Sequence, residues 1–399
     1  MRIGIIEETK TPPDTRVCLP PAHCAKIMAM HPEIQVVVQP SASRCFSNQE
    51  YKDLGIELQE DVSDCDVLLG VKEVKMSALM ENKNYFFFSH TIKKQAYNKE
   101  LLQTILQKKI HLVDYETLSD KDGKRVIAFG RWAGIVGAHN GILTWGKRKK
   151  RFELKAMNEC FDFEEAKSYY SSLDLKGLKV VLTGTGRVAY GSAEVLDLMN
   201  IKRLSAEEFL AYKGEEAVYC MLATEQMFAK GIDNEFEEEF YNNPLGYHSI
   251  LHPYLSTGNT LINGIYWDNK APALFTKEDM RDANFSIEVI ADITCDIAPV
   301  ASIPSTLKAS TITDPIFGYD PVKEAEVAPF QKDVIDMMTV DNLPNELPRD
   351  ASTDFGNQFL EHVLPELLAS KIAMIHRASI TTKDGKLNEP YLYLTDYIA

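Results

Sequence analysis

The chain of 399 residues carries 43 Lys and Arg against 58 Asp and Glu, and its net charge of −15 excludes nucleic acid or an anionic membrane as the principal partner. That length exceeds what one hydrophobic core usually organises, so two or three domains are expected, and a 45% hydrophobic content is enough to pack them. Seven cysteines at 18, 24, 45, 65, 160, 220 and 295 form no Cys-x-x-Cys pair, which fits free thiols in a reducing compartment and neither a disulfide frame nor a metal site. No apolar run approaches the ~20 residues of a membrane span. Met1-Arg-Ile-Gly-Ile-Ile reads directly as a strand and shows no signal peptide, so a soluble, cytoplasmic protein is expected.

Residues 1–130 alternate apolar strand-like runs with helical patterns. The predicted strands cover 3–7, 34–39, 67–71, 85–89, 111–115 and 125–129, and the helices between them include 21–30 and 98–108. The alternation indicates βαβ units and a parallel sheet, in which ligands bind beyond the carboxyl ends of the strands. Those ends are rich in charge. The first runs into Glu7-Glu8-Thr9-Lys10 and a loop with Arg16, the third into Lys72-Glu73, the fifth into Tyr115-Glu116, and Lys124-Arg125 precedes the sixth. The fourth, Tyr85-Phe-Phe-Phe, turns abruptly into Ser89-His90-Thr91 and then Lys93. One crevice would thus gather Lys10, Arg16, Lys72, His90, Lys93 and Arg125 with Glu73 and Glu116. Such a local excess of cations in an acidic protein suits a substrate with several carboxylates, held by Arg forks while a Lys and a His exchange protons. Taken pair by pair, Lys–Glu neighbours are ordinarily solvated surface contacts.

The middle of the chain begins with the strand-like Lys176-Gly-Leu-Lys-Val-Val-Leu-Thr183, continues as Gly184-Thr185-Gly186-Arg187-Val188-Ala189, and enters a helical stretch at 192–199. A Gly-x-Gly-x-x-Ala turn between a strand and a helix is the setting of a dinucleotide-binding loop, where the glycines permit the tight turn and close approach of a pyrophosphate. The acidic residue expected ~20 positions on is ambiguous: Glu207 and Glu208 would suit a ribose, whereas Lys202 and Arg203 would suit a 2′-phosphate. NAD and NADP both remain open. Strand-like runs follow at 260–267 and 287–296, the latter ending in Asp296; a carboxylate there either borders the nicotinamide or caps the next turn. The segment 207–258, with its acidic run from Asp233 to Glu239, reads as an insertion with surface helices, and the basic run 147–151 as a solvated helix face. Near the end, a proline-punctuated loop at 341–355 feeds a helix with apolar positions 355, 359, 360, 363 and 364, kinked at Pro365. A helix in that place would return to the first domain and make it discontinuous.

These segments resemble a known family. Glu7-Glu-Thr-Lys10, Leu69-Gly-Val-Lys72-Glu73, Phe87-Phe-Ser-His90-Thr-Ile-Lys93, Asp114-Tyr-Glu116, Arg125-Val-Ile-Ala-Phe-Gly130, Leu261-Ile-Asn-Gly-Ile-Tyr-Trp267 and Asp292-Ile-Thr-Cys-Asp296 are similar to those of lysine-forming saccharopine dehydrogenases. The similarity is strongest to the lysine–2-oxoglutarate reductase half of the bifunctional enzyme of lysine degradation, whose second dehydrogenase domain this sequence does not carry. Alanine dehydrogenase and the transhydrogenase N-terminal domain are more distant kin. The resemblance implies an α/β protein of two Rossmann-like parallel-sheet domains with the active site in the cleft between them. It places a discontinuous substrate domain at 1–132 plus 332–399 and a dinucleotide domain at 133–331. It implies reversible, NAD- or NADP-dependent condensation of lysine with 2-oxoglutarate to saccharopine, by a monomer or small homo-oligomer without a metal. Lys72 and His90 would be the acid–base pair; Arg16, Arg125, Lys93, Gln95, Glu73 and Glu116 would meet the substrates; and Gly184, Thr185, Gly186, Arg187, Val188, Ile265, Tyr266 and Asp296 would meet the cofactor. Ala298-Pro-Val-Ala301 departs from the family pattern and leaves the amino-acid substrate open, so an alanine-type dehydrogenase and a non-catalytic dinucleotide-binding regulator stand as alternatives.

Overall fold

The computed structural model describes residues 1–231, 235–369 and 373–399. The chain divides into two compact units, Met1–Phe129 with Pro348–Ala399, and Gly130–Leu347.

In the first unit six strands form an all-parallel sheet: β1 (Arg2–Ile5), β2 (Gln35–Val38), β3 (Glu57–Leu58), β4 (Val67–Leu69), β5 (Asn84–Phe87) and β6 (His111–Asp114). Their order, β3-β2-β1-β4-β5-β6, puts the topological switch between β1 and β4. Side chains alternate faces along a strand, which explains the aromatic run. Phe86 and Phe88 enter one core with Ile3, Val36, Phe355 and Phe359, whereas Tyr85 and Phe87 enter the other with Leu68, Leu102 and Ile105. Both faces are therefore covered, as a parallel sheet requires.

Phe355 belongs to the helix Pro348–Gln358. Its ring meets Tyr115 edge-on at 4.9 Å and stacks on Phe129 at 5.2 Å between centroids, which binds the C-terminal segment to this unit. The helix then widens into a π turn, Phe359–Val363, and resumes as Leu364–Leu368. Pro365 lacks an N–H and crowds the carbonyl four residues back, so the widening falls where the kink was expected. The predicted strand at 125–129 does not form. Arg125 makes an isolated bridge to Ser119, and the residues after it leave the ladder so that Val126, Ile127 and Phe129 can pack on the core.

The second unit opens with the helix Gly130–Lys149, buried almost continuously from Trp132 to Gly146. Only its basic end was legible as helix, because its five glycines depress helix propensity. Gly134 shows what they are for: a Cβ there would overlap the Val188 carbonyl of the helix Arg187–Leu198, so the two backbones touch. The strands are β7 (Lys179–Thr183), β8 (Lys202–Leu204), β9 (Val218–Leu222), β10 (Phe228–Lys230), β11 (Tyr247–Ser249), β12 (Thr260–Asn263), β13 (Val289–Asp292), β14 (Ile316–Asp320), β15 (Ala325–Val327) and β16 (Ile335–Met338). An eight-stranded sheet has the order β15-β14-β16-β13-β12-β7-β9-β8; β14 pairs antiparallel with both β15 and β16, and the other pairs are parallel. β10 and β11 form a separate antiparallel pair.

Two expected boundaries are corrected by this sheet. β16 is buried throughout and hydrogen-bonded between β13 and β14, so the return to the first unit falls at 348 instead of 332. The segment 207–258 is not an insertion, since β9 lies inside it, buried at every position between β7 and β8. The remainder contributes the β10–β11 pair and short helical turns. Asp233 and Asn234 of its acidic run lie outside the described residues. Among the described residues no helix is long and apolar enough to cross a membrane.

Candidate active site

At the switch point of the first unit, the end of β1 supports the end of β4. Glu8 accepts hydrogen bonds from the backbone N–H groups of Val71 at 2.6 Å and Lys72 at 2.9 Å, so its carboxylate fixes the turn that presents Lys72 and Glu73. Burial and the nearby Asp14 carboxylate push Glu8 up to about 7, against the two amides and Arg16. Burial lowers the Lys72 pKa, and the Arg16 and Lys10 charges lower it further, while Asp14 and Glu73 oppose.

Glu73 is the hub. Its Oε1 accepts the His90 Nδ1–H at 2.5 Å and its Oε2 accepts from Lys10 Nζ at 3.1 Å. Burial alone would raise its pKa, yet the His90 hydrogen bond and charge, with Lys10, bring it down to about 2. With Nδ1 engaged, Nε2 is the His90 nitrogen left to take or give a proton. His90 itself sits in the left-handed region at φ 53°, a conformation that costs a non-glycine residue ~1–3 kcal/mol and clusters at functional sites. The turn is held from the other side by Asp114 at the end of β6. This fully buried carboxylate accepts from the Ser89 N–H at 3.0 Å and hydroxyl at 2.5 Å, and from the Glu116 N–H at 2.8 Å.

Arg16 is buried, forked onto Asp14 at 2.9 and 2.6 Å, with its guanidinium 4.2 Å from the Phe129 ring centre. Lys93 and Arg125 share one oxygen of Glu116, at 3.3 and 3.6 Å; the other Glu116 oxygen is buried and finds no hydrogen bond among the described residues. The structure therefore groups Lys10, Lys72, Glu73 and His90, and separately Lys93, Glu116 and Arg125. Gln95 joins neither: it is exposed and accepts from Tyr97 at 2.6 Å. Glu8, Asp14 and Asp114 went unassigned in the sequence. Their work is done on backbone amides and on neighbouring side chains, and only their positions at or just past strand ends hinted at it.

The second unit has its own switch point, between β7 and β12. Gly184 adopts φ +95°, and a Cβ there would come 2.9 Å from the Gly264 carbonyl oxygen at the end of β12, so a side chain is doubly disfavoured. Gly186 precedes the helix Arg187–Leu198, and open space surrounds the place its Cβ would take. That combination leaves backbone N–H groups approachable by an anion, with Arg187 and Val188 starting the helix. A cavity of about 290 Å³ opens there, bounded by Gly184, Thr185 and Gly186 and by Ile265, Tyr266 and Trp267. Tyr266 is 97% exposed, an aromatic ring standing at the rim. The cavity wall also includes Thr224, Met227 and Phe228, missed because 207–258 was read as an insertion; the apolar run Val-Tyr-Cys-Met-Leu at 218–222 was the available signal. Beneath the loop, Asp292 is fully buried and accepts from Asn263 at 2.9 Å, Thr294 at 2.7 Å and Thr306 at 2.6 Å. Asp292 is therefore the turn-capping carboxylate of its strand, and Asp296, four residues on, is partly exposed. Among the described residues no cluster of three His, Cys, Asp or Glu is placed to hold a metal.

Known proteins are similar to this chain in sequence or in fold. Residues 4–136 match the family model described as alanine dehydrogenase/PNT, N-terminal domain. An alpha-aminoadipic semialdehyde synthase of Arabidopsis thaliana is 30% identical over 98% of this chain and 41% of its own length, so the chain spans about two fifths of that relative. A protein of Yarrowia lipolytica named saccharopine dehydrogenase [NAD(+), L-lysine-forming] is 25% identical, over 92% of both chains. A solved L-alanine dehydrogenase matches over 100% of both chains with a TM-score of 0.68 and 15% identity, a likeness of fold. By sequence the chain is a homologue of the alpha-aminoadipic semialdehyde synthases and saccharopine dehydrogenases, and its two-unit α/β fold is that of alanine dehydrogenase.

Proposed function

We propose that the protein is a NAD(P)-dependent oxidoreductase acting on a CH–NH bond, specifically a lysine-forming saccharopine dehydrogenase, which in reverse is a lysine–2-oxoglutarate reductase. One observation carries the reading. A lysine with a lowered pKa immediately precedes the ionised glutamate that holds a histidine, at the switch point of a parallel sheet, with Arg16, Arg125 and Lys93 on the same unit. The names of the homologues support it.

In the condensing direction lysine's ε-amine adds to the keto carbon of 2-oxoglutarate, water leaves, and the resulting imine is reduced. A proton must leave nitrogen and another must reach the departing oxygen. Lys72 and His90 act as the pair that holds and moves these protons, Lys72 through an amine that gives up its proton more readily than an ordinary lysine and His90 through Nε2. Glu73 keeps the imidazole in one tautomer and orientation. Arg16, Arg125 and Lys93 bind the substrate carboxylates, with Glu116 facing the amine. The nicotinamide cofactor, when bound, supplies or accepts the hydride. The loop residues Gly184, Thr185 and Gly186, with Arg187 and Val188, would hold its pyrophosphate, and Ile265, Tyr266 and Asp296 would border the rest.

The test is nicotinamide oxidation followed spectrophotometrically with lysine, 2-oxoglutarate and each reduced cofactor, and with ammonia in place of lysine. Lysine-dependent oxidation supports the reading. Oxidation with ammonia and a small oxoacid alone would make the protein an alanine-type dehydrogenase, and cofactor binding without turnover would make it a regulator; either result overturns it.

A further inference from the structure

The ribose-reading carboxylate of a dinucleotide fold conventionally closes the second strand, because that strand lies beside the first and its end stands next to the glycine-rich loop. In this chain the second strand does not take that place. β8 is displaced to the sheet edge, and the strand beside β7 is β9, which pairs with β7 from Lys179↔Val218 to Thr183↔Leu222. Neighbouring strands are about 4.8 Å apart, so the end of β8 lies roughly 10 Å from the end of β7, twice as far as the end of β9.

From these positions we infer that the adenosine ribose is read by the turn that follows β9, with Glu225 as the carboxylate accepting from the ribose hydroxyls, and that the site takes the dinucleotide lacking a 2′-phosphate. The inference rests on the dinucleotide reading of the loop at 184–186. Gly184 N–H donates to the Leu222 carbonyl at 2.8 Å, so the turn starts against the glycine loop itself. Thr224 and Met227 from the same turn line the cavity together with Gly184, Thr185 and Gly186. Glu225 is exposed on the short helical turn Thr224–Gln226, and among the described residues no hydrogen bond or ion pair engages its carboxylate. From 217 to 229 the sequence has no Lys or Arg to meet a phosphate. Of the residues that chain distance singles out, two are occupied elsewhere: Glu208 is bonded to the Ser205 N–H in a capping box, and Arg203 on β8 donates to Met221 Sδ at 3.5 Å.

The experiment titrates the full chain with NADH and with NADPH by fluorescence, as wild type, Glu225→Gln and Glu207→Gln. Hydrogen bonds to a charged group contribute about 1.5–3 kcal/mol, so the expected change is about tenfold or more in Kd. Wild type should bind NADH about tenfold more tightly than NADPH. Glu225→Gln should weaken NADH about tenfold and leave NADPH unweakened, and Glu207→Gln should change neither beyond about twofold. Preference for NADPH in wild type, unchanged NADH affinity in Glu225→Gln, or a loss in Glu207→Gln would overturn the assignment while leaving the dinucleotide site standing. If neither cofactor binds wild type, the dinucleotide reading itself fails.

Discussion

Replacing Glu73 by Gln isolates one charge at the centre of the site, and its effect can be sized from the structure. The carboxylate accepts from His90 at 2.5 Å and from Lys10 at 3.1 Å, and its side chain is 12% exposed, so solvent screens it little. Against burial, these partners carry its pKa from the ordinary 4.5 to about 2. That fall corresponds to about 3 kcal/mol in favour of the ionised form in the folded protein. Glutamine keeps the shape and one acceptor but not the charge, so Glu73→Gln should lose about 2–3 kcal/mol of stability at neutral pH. The sign of the pH dependence follows from a depressed folded-state value. The contribution is complete above about 4.5 and disappears as pH falls through about 2, so the gap between wild type and variant should shrink to under half by about pH 3. Urea unfolding of both proteins across that range measures it. A loss below about 0.5 kcal/mol at neutral pH, or a loss that does not change with pH, would refute the charge argument and leave only altered packing.

Four other substitutions probe different links. Lys72→Met and His90→Gln should each slow turnover by about 10²–10⁴-fold while NADH binding stays within about twofold; wild-type-like rates in both would remove the acid–base assignment. Glu8→Gln addresses a value raised to about 7. Between about 4.5 and 7 the folded protein holds a proton that the unfolded chain has lost, so wild-type stability falls as pH rises and the variant should gain on it by up to about 3 kcal/mol; parallel stability curves would contradict this. Gly134→Ala drives a methyl into the Val188 carbonyl, and a cost of about 3 kcal/mol or more, or failure to fold, is expected from urea unfolding; wild-type stability would mean that the two helices do not touch there.

How much of this was legible in the sequence depends on whether a feature is set by neighbours along the chain. The aromatic run of β5, the Gly184–Gly186 turn between strand and helix, and the charged ends of β4 and β5 are local, and each falls where its residues direct. The helix Gly130–Lys149 was opaque because its glycines mostly serve partners far along the chain, Gly134 against Val188, Gly137 against Ile293 and Gly141 against Ala291, and in isolation they argue against a helix. Arg125 failed in the opposite sense: the apolar run after it has strand composition, but Phe355, which packs on Phe129, comes from the far end of the chain. The same cause governs the ligand sites. Counting ~20 residues from a glycine loop to a carboxylate assumes that the next strand in sequence is the next in space. β8 and β9 break that assumption, so the count lands on Glu207 at the sheet edge while the neighbouring position belongs to the turn carrying Glu225. A spacing rule is a statement about topology, and it transfers to a new chain only after the strand order is known.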